Sequence, residues 1–208
     1  KYLDYSERSD KLSGGVKIVP IDTPVGKFNV WTKRVGNNPN KKVLLLHGGP
    51  GANHEYFQAI ESFFPRESIE FYYYDQLGSE FSDKPKDESL WTIERFVDEV
   101  EQVRKALNLD SDNFIILGHS WGGILGIEYA LKYQNNLKAL IISNMVPSIP
   151  DYIDYANNVG KEDFKERTGQ IFDDTKTVYQ KFMETILPRL STIKDIPEGR
   201  TKVSQVDK

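Results

Sequence analysis

Short apolar runs and amphipathic stretches alternate along the chain from Val16 to Ile142. Val16-Lys17-Ile18-Val19 and Phe28-Asn29-Val30-Trp31 flank the turn-forming Asp22-Thr23-Pro24-Val25-Gly26, which predicts a hairpin of two strands. After a break at Gly36-Asn37-Asn38-Pro39-Asn40, Val43-Leu44-Leu45-Leu46 is apolar throughout, as expected of a strand covered on both faces. A helix is predicted around Glu55 to Phe64 and an aromatic strand over Ile69 to Tyr74. From Thr92 to Leu107, Ile93, Phe96, Val97, Val100, Val103 and Leu107 share one helical stripe. Phe114-Ile115-Ile116-Leu117 is a second buried-strand run, followed by a helix over Ile124 to Tyr133 and a strand at Leu140-Ile141-Ile142. A hairpin followed by βαβαβ alternation predicts an α/β fold, a mostly parallel sheet with helices on both faces.

Past Pro147 the pattern changes. Pro147 and Pro150 interrupt the chain, and the remainder is polar and charged. Val178, Phe182 and Ile186 recur every four residues and predict one amphipathic helix, readable either as a helix packed on the core or as a cap over a substrate. The resulting division is an N-terminal core part over 1–148, a helical cap-like segment over 149–193 and a loose tail over 194–208, with Lys1 to Gly15 as an extended arm. The 208 residues suffice for one core and a small lobe. No apolar run is long enough to span a bilayer. With 27 basic and 31 acidic residues the net charge is -4 and no Lys/Arg block stands out, which argues against a nucleic-acid partner. The absence of cysteine removes disulfides, thiolate catalysis and cysteine-based zinc sites. The compartment stays open, because the chain opens on Lys1 and an export signal upstream is compatible with it.

Two glycine motifs carry chemistry. Gly118-His119-Ser120-Trp121-Gly122 fits G-x-S-x-G, a sharp strand-to-helix turn that holds a serine in a strained conformation at the sheet's edge. By chance the pattern arises in roughly 7% of chains this long, so its context decides. An apolar strand run ends at Leu117 and a helix-like run follows, as the motif requires. His47-Gly48-Gly49-Pro50-Gly51 follows the Val43–Leu46 run and would expose backbone N–H groups at the carboxyl edge of a parallel sheet, where ligands bind in such folds. Acyl transfer needs two N–H donors aimed at the developing oxyanion. Trp121, after the serine, and Gly49, in this turn, are the candidates.

Together with Tyr74-Asp75-Gln76-Leu77-Gly78-Ser79, these motifs resemble the proline iminopeptidase (prolyl aminopeptidase) family, in that family's order and at about its spacing, from Val16 to Ser148. The resemblance implies an α/β-hydrolase core with a helical cap, a Ser-Asp-His triad with no metal or other cofactor, and removal of an N-terminal residue, usually proline, from small peptides. It implies Ser120 as nucleophile and the N–H groups of Gly49 and Trp121 as oxyanion hole. Leu77 stands where arginine is common in that segment.

The resemblance is not completed after Ser148. Triad order in this fold is serine, then acid, then histidine, yet the three histidines are His47, His54 and His119, and none follows Ser120. His119 reads as structural and His47 as a pin for its own turn. His54 is the one in-chain alternative base, disfavoured because it follows the wrong strand. Asp151, Asp154, Asp163, Asp173, Asp174 and Asp195 read as cap or loop carboxylates, since none ends a strand-like run. The C-terminal core strands are expected to be missing from these residues. The accounts left open are an enzyme whose core is completed by further chain or a second chain, an esterase or other small-acyl hydrolase, and a non-catalytic ligand-binding module.

Overall fold

A computed structural model describes residues 14–145, which lie within one compact unit. The cap-like segment 149–193, the tail 194–208, the helix expected at Val178, Phe182 and Ile186, the aspartates from Asp151 to Asp195 and most of the N-terminal arm lie outside the described residues.

The hairpin forms, with longer strands than expected. β1 (Val16–Thr23) and β2 (Gly26–Val35) pair antiparallel with Thr23 opposite Gly26, so that only Pro24 and Val25 make the turn. β1 is an edge strand, where a proline such as Pro20 is tolerated. β3 (Lys42–Leu46), β4 (Glu70–Asp75), β5 (Phe114–His119) and β6 (Ala139–Ser143) complete a six-stranded sheet of order β1-β2-β4-β3-β5-β6. The β4-β3-β5-β6 half is parallel, while β2 joins β4 antiparallel. The sheet is therefore mixed, with its carboxyl edges of β3, β4 and β5 brought side by side. β6 ends the described sheet with Ile141 and Ile142 46% and 44% exposed.

α1 (Ile93–Ala106) forms on the predicted stripe and starts at Thr92, whose side chain accepts the Arg95 N–H as an N-cap. α2 runs from Trp121 to Tyr133, three residues earlier than its apolar pattern indicates. Both helices cover one face of the sheet. Tyr74 of β4 donates to Glu99 of α1, Tyr129 of α2 donates to Glu101 of α1, and Gly126 of α2 lies against Ile116 and Leu140. Helices cover both faces among the described residues, as expected, but on the second face they are 3-10 and not α. The opposite face, carrying Val43, Leu45, Phe71 and Tyr73, is covered by Phe57, Ile60 and Phe64. These belong to two 3-10 segments, Glu55–Ser62 and Phe64–Glu67, in place of the single helix expected around Glu55 to Phe64. Phe57 and Ile60 are three residues apart, the spacing that eclipses on one side of a 3-10 turn, and Pro65 opens the second segment.

Candidate active site

β5 ends at His119 and α2 begins at Trp121, so Ser120 alone makes the turn, at φ 55 and ψ -121. A non-glycine residue there stores about 1–3 kcal/mol of strain and persists only where its surroundings fix it. They do so here. The Ser120 N–H donates to the Ser143 carbonyl of β6 at 3.1 Å, and its own carbonyl accepts the Gly123 N–H at 2.9 Å. The flanking glycines are contact requirements. A Cβ on Gly122 would sit 2.0 Å from the Leu46 carbonyl oxygen, and one on Gly118 would sit 2.2 Å from that of Gly122. The elbow thus nests in β3, whose carboxyl end carries the second motif.

Gly48 faces the serine, since a Cβ there would lie 3.1 Å from Ser120 Cβ and 3.5 Å from Oγ. Its peptide groups are held on two sides. The buried Gly48 N–H donates to the Tyr56 hydroxyl at 2.5 Å, and its carbonyl accepts from His47 Nδ1 at 2.9 Å. The next peptide, Gly48–Gly49, is trans, so its N–H points away from the carbonyl that His47 holds. No acceptor among the described residues takes that Gly49 N–H, and Gly49 is exposed, at φ +112. The Trp121 N–H opens α2, where N–H groups have no intrahelical acceptor and the helix dipole favours negative charge. The two candidate donors therefore come from adjacent strand ends, one on either side of the β3–β5 seam.

A residue that motif reading overlooked ties the two together. Gln76, 1% exposed just past β4, donates from Nε2 to the His47 carbonyl and accepts the Trp121 indole N–H at Oε1, each at 3.0 Å. Its backbone N–H donates to His47 Nε2 at 3.0 Å, which assigns the ring proton to Nδ1. Burial lowers the pKa of His47 from its ordinary value, despite the opposing hydrogen bond to Gly48, and keeps it neutral. His47 is thus a pin for the turn, as expected. The 76–83 loop is anchored in turn by α1, because buried Glu99 accepts the Leu77 N–H at 2.9 Å and pairs with Arg95.

The other histidines are placed by their rings. His54 donates from Nδ1 to both oxygens of Asp75, at 2.8 and 3.0 Å, and its backbone N–H reaches the same carboxylate. Its ring packs on Trp31 of β2 at 4.6 Å, on Tyr73 of β4 at 5.3 Å and on Phe81 at 5.7 Å. It belongs to the β2–β4 side, with β3 between it and the elbow. His119 is half-buried and packs on Tyr56 at 5.1 Å, with Phe57 edge-on at 6.4 Å. Among the described residues no imidazole is shown on Ser120, and no three His, Asp or Glu side chains gather into a metal site.

A family model described as alpha/beta hydrolase fold matches residues 41–187, which include both glycine motifs and the Gln76 loop. The chain belongs to this family. Within it, the sequence groups with the proline iminopeptidases. It is 54% identical over 197 residues to the proline iminopeptidase of Flavobacterium johnsoniae, covering 90% of this chain and 66% of that protein. It is 63% identical over 145 residues to that of Elizabethkingia meningoseptica, covering 70% and 49%. The chain therefore spans between about half and two thirds of the length of these curated relatives. The crystal structure of proline iminopeptidase from Mycobacterium smegmatis superposes with a TM-score of 0.62 at 26% identity, over 81% of this chain and 60% of that one. The crystal structure of VinJ, at 23% identity and TM-score 0.64, covers 88% and 64% and shares the fold. No helix among the described residues is long and apolar enough to cross a membrane.

Proposed function

We propose that the protein is a serine hydrolase that releases the N-terminal residue, proline foremost, from small peptides. The observation that carries this reading is Ser120 at φ 55 on the strand–helix elbow, with Gly48 against its Cβ and Oγ. The naming of its relatives as proline iminopeptidases supports the substrate class. In this reading Ser120 Oγ attacks the scissile carbonyl and the Gly49 and Trp121 N–H groups hold the oxyanion. The peptide amine leaves, and water releases the acyl group from the serine.

A serine hydroxyl needs a base, and the base needs an orienting acid. His47 has both ring nitrogens engaged, His54 lies on the β2–β4 side with β3 between it and the elbow, and His119 lies on Tyr56 and Phe57. The reading therefore requires an acid and a base from outside the described residues. As no histidine follows Ser120 in the 208, the base comes from chain beyond them or from a partner. The cap-like segment expected from sequence at 149–193 would then choose the substrate.

The test is cleavage of a prolyl naphthylamide by the intact protein, beside Ser120→Ala and labelling by a fluorophosphonate. Turnover confined to the parent, with label on Ser120, supports the assignment. Equal turnover in Ser120→Ala sinks it, and a serine that never labels favours a non-catalytic binding module.

A further inference from the structure

The Gly48 amide is buried against the candidate nucleophile, and a buried N–H requires an acceptor. It finds one in the Tyr56 phenol oxygen, 2.5 Å away in the 3-10 segment that follows the turn. The Tyr56 ring is itself braced, on Phe57 at 4.4 Å and on His119 at 5.1 Å. One side chain thus leans on the residue before Ser120 while its hydroxyl grips the turn opposite Ser120. Burial pushes the phenol up to about 12 against the pull of the Gly48 bond, so it keeps its proton at neutral pH.

We propose that Tyr56 is a positioning residue for the oxyanion site, its hydroxyl setting the angle at which the Gly48–Gly49 turn meets Ser120. The inference rests on the serine-hydrolase reading above. Gly48 is gripped by Tyr56 at its N–H and by His47 at its carbonyl. With both groups fixed, the backbone of a residue that has no side chain to restrain it has little freedom left. The direction of the Gly49 N–H is then set before a substrate arrives. An oxyanion donor is effective in proportion to that preorganisation. Without the phenol oxygen, the Gly48 N–H loses its acceptor and the Gly48–Gly49 peptide loses one of the restraints on its angle.

Tyr56→Phe in the intact protein removes one oxygen and leaves the ring on Phe57 and His119. The kcat for prolyl naphthylamide should fall about tenfold or more with KM within about twofold, the split of an interaction made in the transition state. A prolyl aldehyde, which adds to Ser120 to form a tetrahedral adduct, should bind more weakly by the same factor as kcat/KM. Hydrogen exchange in the segment containing Gly48 should quicken. A kcat within twofold of the parent, or a rise in KM at constant kcat, overturns the proposal. Phe57→Leu disturbs the ring's packing but spares the hydroxyl, and an equal fall in kcat there also overturns it. Turnover in Ser120→Ala would fell the hydrolase reading itself. A dead Ser120→Ala beside a fully active Tyr56→Phe would fell this inference alone.

Discussion

Replacing Gln76 by methionine tests whether the Gly48–Gly49 turn and the Ser120 elbow are held in register by one buried amide. Methionine matches glutamine in length but offers neither the donor nor the acceptor. Two groups lose their partners, the His47 carbonyl and the Trp121 indole N–H, in residues 0% and 4% exposed. The backbone of α2 closes on that carbonyl, since a Cβ on Gly122 would stand 2.8 Å from it. Each orphaned buried group costs about 1–3 kcal/mol. Two give about 2–6 kcal/mol, offset by roughly 1–2 kcal/mol because the glutamine amide no longer has to be desolvated. The net loss, centred on about 2.5 kcal/mol, lowers Tm by about 5–10 °C for a protein of this size. Thermal melting of the intact protein measures the first effect. Fluorophosphonate labelling well below both melting temperatures measures the second, slower acylation of a correctly folded but misaligned site. A Tm within a degree or two of the parent, together with an unchanged labelling rate, would refute the clamp.

Three other substitutions probe the same seam. Because burial holds the pKa of His47 below its ordinary 6.5, native and unfolded chains are both neutral at this site above that pH. Below it the unfolded chain takes up a proton that the native state refuses. Stability should then fall with pH by up to about 1.4 kcal/mol per unit. In His47→Asn the loss in urea midpoint from pH 8 to pH 5 should be smaller than in the parent, and parallel curves would count against the neutral-pin reading. Gly122→Ala forces a Cβ to 2.0 Å from the Leu46 carbonyl, whereas Gly51→Ala meets nothing within 4 Å and bears only the strain of φ +95. Gly51→Ala should cost about 1–2 kcal/mol, and Gly122→Ala more than 3 kcal/mol, through displaced backbone. Melts of the two that coincide would show that α2 has slack against β3.

What the sequence made legible is local, and what it hid is contact between distant segments. β3 and β5 declare themselves because parallel strands covered on both faces read as continuous apolar runs. α1 does so because its stripe and its Thr92 cap agree. The first turn of α2 was hidden by Gly122 and Gly123, poor helix formers that are there so the helix can lie against Leu46 and Met145. Ser120 and the Gly48–Gly49 turn were legible because each motif is contiguous. Gln76 carries no readable signal of its own, because its two side-chain partners lie 29 and 45 residues away and no period links them. Tyr56 carries no signal at all. A tyrosine eight residues beyond a glycine reaches its amide only because the intervening turn doubles back.

The same limit explains why a carboxylate–imidazole pair exists here without being a catalytic dyad. His54 and Asp75 have the chemistry of a base and its orienting acid, with Nδ1 on the carboxylate at 2.8 Å. Their place denies them the role. Asp75 ends β4, and β3 intervenes before β5 and Ser120. At about 4.8 Å per strand, β4 and β5 lie roughly 10 Å apart, whereas a base must stand within about 3 Å of the proton it takes. Trp31, Tyr73 and Phe81 wall the ring on the β2–β4 side, and Asp75 also accepts the Phe81 and His54 backbone N–H groups. That carboxylate gathers the loop after β3 and the loop after β4 onto one anchor. Fixing those two loops is what presents Gln76 to His47 and the Gly48–Gly49 turn to Ser120. The pair serves the candidate site by holding up its floor.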